Sequence, residues 1–264
     1  MQEKQQLLLV DGSGYIFRAF HALPPMTRTD GTPVNAVYGF TAMLMKLVDD
    51  MQPDHVAVVF DVARKTFRSD IYTKYKANRS EPPEDLIPQF ALVREATAAL
   101  ALPAVELAGF EADDLIATYA AAGEDAGMAT TIVSSDKDLM QLVRGDITML
   151  DPIKQRRIGA AEVVERFGVP PKQVVDVQAL AGDSTDNVPG VPGIGIKTAA
   201  ELINTFGDLE TLLARAGEIK QPKRRENLLQ YAEQARISRQ LVLLRDDAPM
   251  PVSYTHLTLP TSYA

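Results

Sequence analysis

Cysteine and tryptophan are both absent from this chain of 264 residues, and histidine occurs only three times. Without cysteine there can be no disulfide and no thiolate metal site. His21, His55 and His256 are scattered, so an imidazole-built zinc centre is not expected. Any metal here should be a hard cation held by oxygen. Long apolar runs are missing as well. None approaches the roughly 20 residues needed to span a bilayer, and "QLLLV" near the start is too short for a signal-peptide core. A cytoplasmic location is therefore expected. What is present is an ordinary globular composition, 46% hydrophobic and 23% charged, enough for one large domain or two small ones.

Positive charge is also short overall. The net charge is −8, which taken alone argues against a polyanionic partner. Its distribution says otherwise. "RKTFRSDIYTKYKANR" carries Arg64, Lys65, Arg68, Lys74, Lys76 and Arg79 against the single acid Asp70. "KQRR" (154–157) and "KRR" (223–225) are smaller basic clusters. A charge run is often no more than a solvated face, so this feature needs a partner elsewhere in the sequence.

The apolar pattern supplies the frame. "QQLLLVDGSG", "HVAVVFD" and "ATTIVSSDKD" read as buried strands, and "LPAVEL" and "DITML" as further candidates. Continuous apolar strands separated by helical patterns point to a parallel sheet covered on both faces. The helical stretches are "PVNAVYGFTAMLMKLVDDM", "IPQFALVREATAALAL" and "ADDLIATYAAAGEDAG". The expected fold is α/β: a central, mostly parallel twisted sheet with helices on both faces. From about residue 158 the pattern changes to short helices around the glycine-proline turn "NVPGVPGIGIKT", with a final long helix over "QPKRRENLLQYAEQARISRQLVLLR". The expected division is a core over 1–157, in which about 64–90 forms an arch, and a helical region over 158–250. Residues 251–264 fit neither pattern and are expected to be a non-native tail.

Acids mark the strand ends. Asp11 follows "LLLV", Asp61 follows "VAVVF", and Asp136 follows "TIVSS" with Asp138 two residues on. Open parallel sheets bind ligands outside the carboxyl ends of their strands, so these carboxylates should meet at one edge. "GFEADDLI" adds Glu111, Asp113 and Asp114 at the start of a helix, where capping accounts for one of them and not for all three. "AGDSTDNVPG" adds Asp183 and Asp186. These nine acids carry more negative charge than the whole chain's net. Two carboxylates about 4 Å apart repel by roughly 4 kcal/mol at an effective dielectric of 20, so divalent cations such as Mg²⁺ are expected among them. Two such ions can promote water attack on a phosphodiester and stabilise the leaving oxygen. The turn "VPGVPGIGIKT" places Gly193 and Gly195 before a helix, with Lys197 beside them. Glycine backbone and a helix N-terminus favour a phosphate, as in the hairpin of helix-hairpin-helix DNA-binding modules.

Together, "LLLVDGSGYIFRAFHALP", "VVFDVARKTFRSDIYTKYKANR", "GFEADDLIAT", "IVSSDKDLMQLV" and "LAGDSTDNVPGVPGIGIKTAAELI" resemble the 5'-nuclease (flap endonuclease) family over roughly residues 5–245. The resemblance implies a structure-specific 5'→3' exonuclease or flap endonuclease of DNA replication and repair. Its partners would be DNA with a 5' flap, nick or single-strand/duplex junction, and RNA–DNA primer ends. It would use two or more Mg²⁺ or Mn²⁺ ions and act as a monomer. Asp11, Asp61, Glu111, Asp113 and Asp114 match the carboxylates of one metal site, and Asp136, Asp138, Asp183 and Asp186 lie around the other. Tyr75, Lys76 and Arg79 match the foot of the family's helical arch, which handles the scissile phosphate, and Arg68 matches a DNA-contacting position. Gly190, Gly193, Gly195 and Lys197 match the helix-three-turn-helix element that holds duplex backbone, with a K⁺ ion. A junction-binding module that spends its acids on caps, and a phosphotransfer protein with a strand-end aspartyl phosphate, are the rival readings.

Overall fold

A computed structural model describes residues 4–63, 65–253, 256 and 257. In chain order the elements are β1 (Gln6–Asp11), α1 (Gly12–Ala22), α2 (Asn35–Met51), β2 (His55–Val59), α3 (Phe67–Ile71), α4 (Gln89–Ala99), β3 (Ala104–Val105), α5 (Ala112–Asp125), β4 (Ala129–Val133), β5 (Ile147–Asp151) and β6 (Arg156–Ile158). Then follow α6 (Ala160–Phe167), α7 (Val174–Ala181), α8 (Ile196–Phe206), α9 (Leu209–Ala214), α10 (Pro222–Gln230) and α11 (Ala232–Val242).

The six strands lie in the order β3-β2-β1-β4-β5-β6. All neighbours are parallel except β5 and β6, which are antiparallel. The run "LLLV" is apolar at every position because both faces of β1 are covered. Leu8 and Val10 pack with Ile16 of α1, Phe40 and Leu44 of α2 and Val93 of α4. Leu7 and Leu9 face the other way, toward Leu115, Ile116 and Tyr119 of α5. Burying each such side chain is worth about 1.5–3 kcal/mol. A single-residue slip of β1 would exchange its two faces, so its register with β2 and β4 is strongly held. On the α2 side, the fully buried Gln89 accepts from the amides of Ala36 and Val37 and donates to Asn35 Oδ1, supplying an N-terminal cap from another helix.

The helices after β6 do not form a separate body. Val163, Val177, Ile203, Leu212 and Ala235 belong to the same buried cluster as α5 and the sheet. A smaller cluster of Tyr75, Val175, Val188, Leu241 and Val242 ties the segment after α3 to α7 and α11.

Several elements differ from the sequence-based expectation. "DGSG" opens a full helix, α1, rather than a turn, because Asp11 accepts from the Gly14 amide and caps it. The expected long C-terminal helix is two, α10 and α11, broken at Tyr231, whose φ and ψ are −106° and 22°. No glycine or proline marks that break. The basic "KQRR" cluster ends in the edge strand β6. Beyond α3, residues 72–88 form turns and extended chain rather than the helices of an arch. Arg64 lies outside the described residues, as does most of the 251–264 tail.

Candidate functional site

The order of strands reverses between β1 and β4, and a crevice opens at their carboxyl ends;. Asp11, at the end of β1, is held on both oxygens: Gly14 N donates to Oδ1 (2.8 Å) and Ser134 Oγ to Oδ2 (2.8 Å). A Cβ on Gly14 would stand 2.6 Å from Asp11 Oδ2, so only glycine allows this approach. Asp61, beyond β2, accepts from Ser13 Oγ (2.8 Å) and from Ala112 N at the start of α5 (2.9 Å). Asp136 donates its own amide to Ser134 Oγ and accepts from Asp138 N (2.9 Å). Ser134 thus joins the β1 and β4 ends. Asp113 stands in the first turn of α5.

These acids repel one another. Burial, then the charges of Asp136, Asp11 and Asp61, push the Asp113 carboxyl well above its ordinary range. Burial, with Asp136 and Asp61 adding to it, pushes Asp11 up to about 6, although the Gly14 and Ser134 bonds pull the other way. Burial and Asp136 push Asp138 up to about 6. Among the described residues no lysine or arginine forms an ion pair with Asp11, Asp61, Asp113 or Asp136, and no three acidic or histidine side chains are drawn together tightly enough to hold a metal ion.

The remaining acids are met by the protein's own cations. Lys76 Nζ lies 2.9 Å from Glu111 and 3.6 Å from Asp186. Burial alone would lower Lys76, but those two carboxylates overcome it and raise its pKa. Arg79 pairs with Asp186, and Lys137 with Asp183. Burial would raise Asp183, yet Lys137 and two backbone amides hold it below its ordinary value. The backbone at Lys76 is left-handed (φ 54°) and its amide donates to Asp186 O (2.9 Å). Asn78 donates to Ser184 O and Asn187 to Lys74 O, so the 74–79 turn is clasped to the "DSTDN" turn. Glu111, Asp113, Asp138 and Asp186 line a void of about 10 Å³, room for one water-sized species. Beside it a cavity of about 780 Å³ is walled by Asp61, Glu111, Lys76, Arg79, Phe17 and Phe90.

Four expected site residues lie elsewhere than the sequence suggests. Arg68 is 1% exposed and grips both oxygens of Asp114 (2.7 and 2.8 Å) while donating to Leu241 O and Leu243 O. A side chain so enclosed cannot reach DNA. Asp114, fully buried, spends its carboxylate on Arg68 and on the amides of Glu111 and Arg245, leaving none for a metal. Tyr75 is buried with its hydroxyl on Glu111 Oε2 (3.2 Å), so its ring is not offered to a base. Gly190 is buried, its amide bonded to Ser238 Oγ. A Cβ there would lie 2.4 Å from the Gly182 amide, so this glycine serves close backbone packing. Gly193, Gly195 and Lys197 are exposed at the N-terminus of α8, which no side chain caps.

The oxygen-only donor set around the β1–β4 crevice fits hard divalent cations. Asp11, Asp61 and Asp113 would hold one, with Glu111 at its edge; Asp136, expected at the second position, instead stands beside Asp11 and Asp113, and Asp138, Asp183 and Asp186 flank the second position. Sequence reasoning missed Ser13, Ser134, Lys137, Gln178 and Arg94. Arg94 donates to Asp61 O (2.8 Å) and pairs with Glu106, which steadies the loop after β2. Ser13 and Ser134 sit inside "DGSG" and "SSDKD", where a hydroxyl beside a strand-end acid was the available signal.

The metal-free protein should respond to pH accordingly. Asp11 and Asp138 have folded values of about 6 against 3.8 unfolded. Their stability contribution is full below about pH 4 and is lost as pH rises through about 6, at a cost of the order of 1–3 kcal/mol per group. Melting in chelator should therefore occur at a higher temperature at pH 5.5 than at pH 7.5. The Asp11→Asn, Asp138→Asn double variant should lose part of that difference, the buried Asp113 keeping the rest, and an equal slope in wild type and double variant would contradict this account.

The chain belongs to the 5'-3' exonuclease family. Its model for the N-terminal resolvase-like domain matches residues 6–168, and its model for the C-terminal SAM fold matches residues 169–263. DNA polymerase I of Rhizobium leguminosarum is 58% identical over 267 residues, covering 98% of this chain and 26% of that protein. DNA polymerase I of Bacillus caldotenax is 43% identical over 256 residues, 95% of this chain and 29% of that one. The chain thus spans between a quarter and a third of the length of these relatives. By shape, the T5 D15 protein co-crystallised with metal ions superposes with a TM-score of 0.78 at 22% identity, covering 90% of this chain and 89% of that one. The catalytic core of Rad2 with DNA substrate gives 0.56 at 17% identity, over 88% and 73%. The family is one of nucleases, and the six-stranded sheet with its helical C-terminal region is its fold.

Proposed function

We propose that this chain is a structure-specific 5'→3' exonuclease and flap endonuclease. It hydrolyses phosphodiesters at 5' ends, flaps and nicks of DNA and at RNA primer ends, as a cytoplasmic, nucleoid-associated monomer. The observation that carries the reading is the convergence of Asp11, Asp61, Asp113 and Asp136 at the ends of three adjacent parallel strands and the start of α5, opposite Lys76 and Arg79.

Asp11, Asp61, Asp113 and Asp136, with Asp138, Asp183 and Asp186 beside them, would hold two or more Mg²⁺ or Mn²⁺ ions, which would supply Lewis acidity and a more acidic water. The protein's own part is positioning and charge. Ser13, Gly14, Ser134 and Ala112 fix the orientations of Asp11 and Asp61 before substrate arrives. Lys76 and Arg79 exchange their carboxylate partners for the scissile phosphate and stabilise charge growing on its equatorial oxygens. Lys76 holds its ammonium between Glu111 and Asp186 at the edge of the crevice. The 780 Å³ cavity, apolar on the Phe17 and Phe90 side and bearing Lys76 and Arg79 beside Asp61 and Glu111 on the other, receives the unpaired 5' strand. Gly193, Gly195 and Lys197 hold duplex phosphate at the α8 N-terminus, where K⁺ would add positive charge. Contacts of this kind recognise shape rather than sequence, and their affinity falls with salt. Residues 1–157 form the catalytic core and 158–250 the duplex-binding region.

A labelled 5'-flap duplex incubated with the chain tests this directly. Cleavage leaving a 5'-phosphate in Mg²⁺ or Mn²⁺, and none in chelator, is expected. Tight binding of the flap without cleavage in any divalent ion would favour the junction-binding alternative.

A further inference from the structure

Gln178 of α7 is 1% exposed, yet neither the sequence pattern nor the proposed mechanism gives it a task. Its amide nitrogen donates to Asp138 Oδ1 (2.5 Å). Its amide oxygen is buried and has no hydrogen-bond partner among the described residues. A buried polar atom left unpaired costs about 1–3 kcal/mol, and an apolar side chain of the same length would avoid that cost. Glutamine here sets its amide nitrogen on one particular carboxylate.

Asp138 has two other neighbours of consequence. Its own amide is tied to Asp136 Oδ1, and Lys137 Nζ stands 3.9 Å from its Oδ1. Lys137 is committed to Asp183 on the opposite side. Asp138 is therefore drawn toward a one-third-exposed ammonium already paired with Asp183 and held by a buried amide. The amide lies on α7, whose C-terminus runs directly into the "GDSTDN" turn that carries Asp183 and Asp186. One helix thus orients Asp138 through Gln178 and delivers the other two acids of the second position.

We infer that Gln178 is a positioning residue for the second divalent cation, fixing the carboxylate plane of Asp138 relative to Asp183 and Asp186. The inference rests on the proposed function, in which that position binds a metal. Partners that orient a ligating carboxylate typically change metal affinity by about 10–100-fold when removed.

The test is calorimetric titration of the metal-free chain with Mn²⁺ in the absence of DNA. Wild type should show two binding events. Gln178→Met keeps the length of the side chain and removes both amide atoms. It should weaken one event by roughly tenfold or more and leave the other unchanged. Its melting temperature in chelator should stay close to that of wild type, since removal of the unpaired oxygen offsets loss of the bond to Asp138. Gln178→Leu serves as a second variant if the first is poorly folded. In an Asp138→Ala background the Gln178→Met change should have no further effect, because the residue acts through Asp138. Two Mn²⁺ affinities unchanged in the folded Gln178 variants would overturn the assignment of Gln178 and leave the metal site standing. No Mn²⁺ binding by wild type would overturn the metal reading and this inference together.

Discussion

Arg68→Ala is expected to lower the stability of the chain by about 3–5 kcal/mol, the cost of stripping one partner from a buried ion pair. Arg68 is 1% exposed and Asp114 is fully buried. Two guanidinium nitrogens meet both Asp114 oxygens, and Arg68 also reaches the carbonyls of Leu241 and Leu243. Removing it leaves the interior Asp114 carboxylate with two backbone amides but no counter-charge and takes a donor from each of two carbonyls at the end of α11. For a chain of this size 1 kcal/mol corresponds to roughly 2–4 °C in melting temperature, so a fall of about 10 °C is expected. Arg68→Lys should recover only part of it, because an ammonium cannot pair with a carboxylate in two places at once. The salt dependence of flap binding should not change, since Arg68 contacts no solvent-facing phosphate. A wild-type melting temperature with a shallower salt slope would return Arg68 to the DNA interface.

Asp136→Ala is expected to have the opposite signature. Under the proposed mechanism it removes a metal-holding carboxylate, and several kcal/mol of transition-state stabilisation depend on the metal. At about 1.4 kcal/mol per tenfold change in rate, flap cleavage should fall by about 10³-fold or more. Stability in chelator should hold or rise, because Asp136 is among the charges that push Asp11, Asp113 and Asp138 up. Lys76→Met separates the two effects. It should cost roughly 10²–10³ in cleavage, as loss of one preorganised charge does. It should also destabilise the metal-free chain, since Glu111 and Asp186 lose their shared partner. Cleavage by Asp136→Ala within tenfold of wild type would remove Asp136 from the site.

The sequence by itself determined the parallel centre of the sheet and where its chemistry sits, though not the antiparallel edge strand β6. Apolar runs at β1, β2 and β4 can only be strands buried on both faces, and an acid directly after each must emerge at the same end when the strands are parallel. Asp11, Asp61 and Asp136 were legible for that reason, as was the exposed glycine turn before α8. The tertiary structure alone decided how the charges are shared out. Arg68 and Lys76 belong to one basic run and look alike in it, but Arg68 points inward to Asp114 and α11 while Lys76 faces Glu111 and Asp186. Asp113 and Asp114 are adjacent, yet on a helix they lie about 100° apart. One therefore turns to the crevice and the other to the core. Which partner a charge finds depends on elements over a hundred residues away, such as Leu241 for Arg68 and Asp186 for Arg79. Local pattern carries no record of those contacts, because they arise only when α11 and the "DSTDN" turn close against the segment after α3.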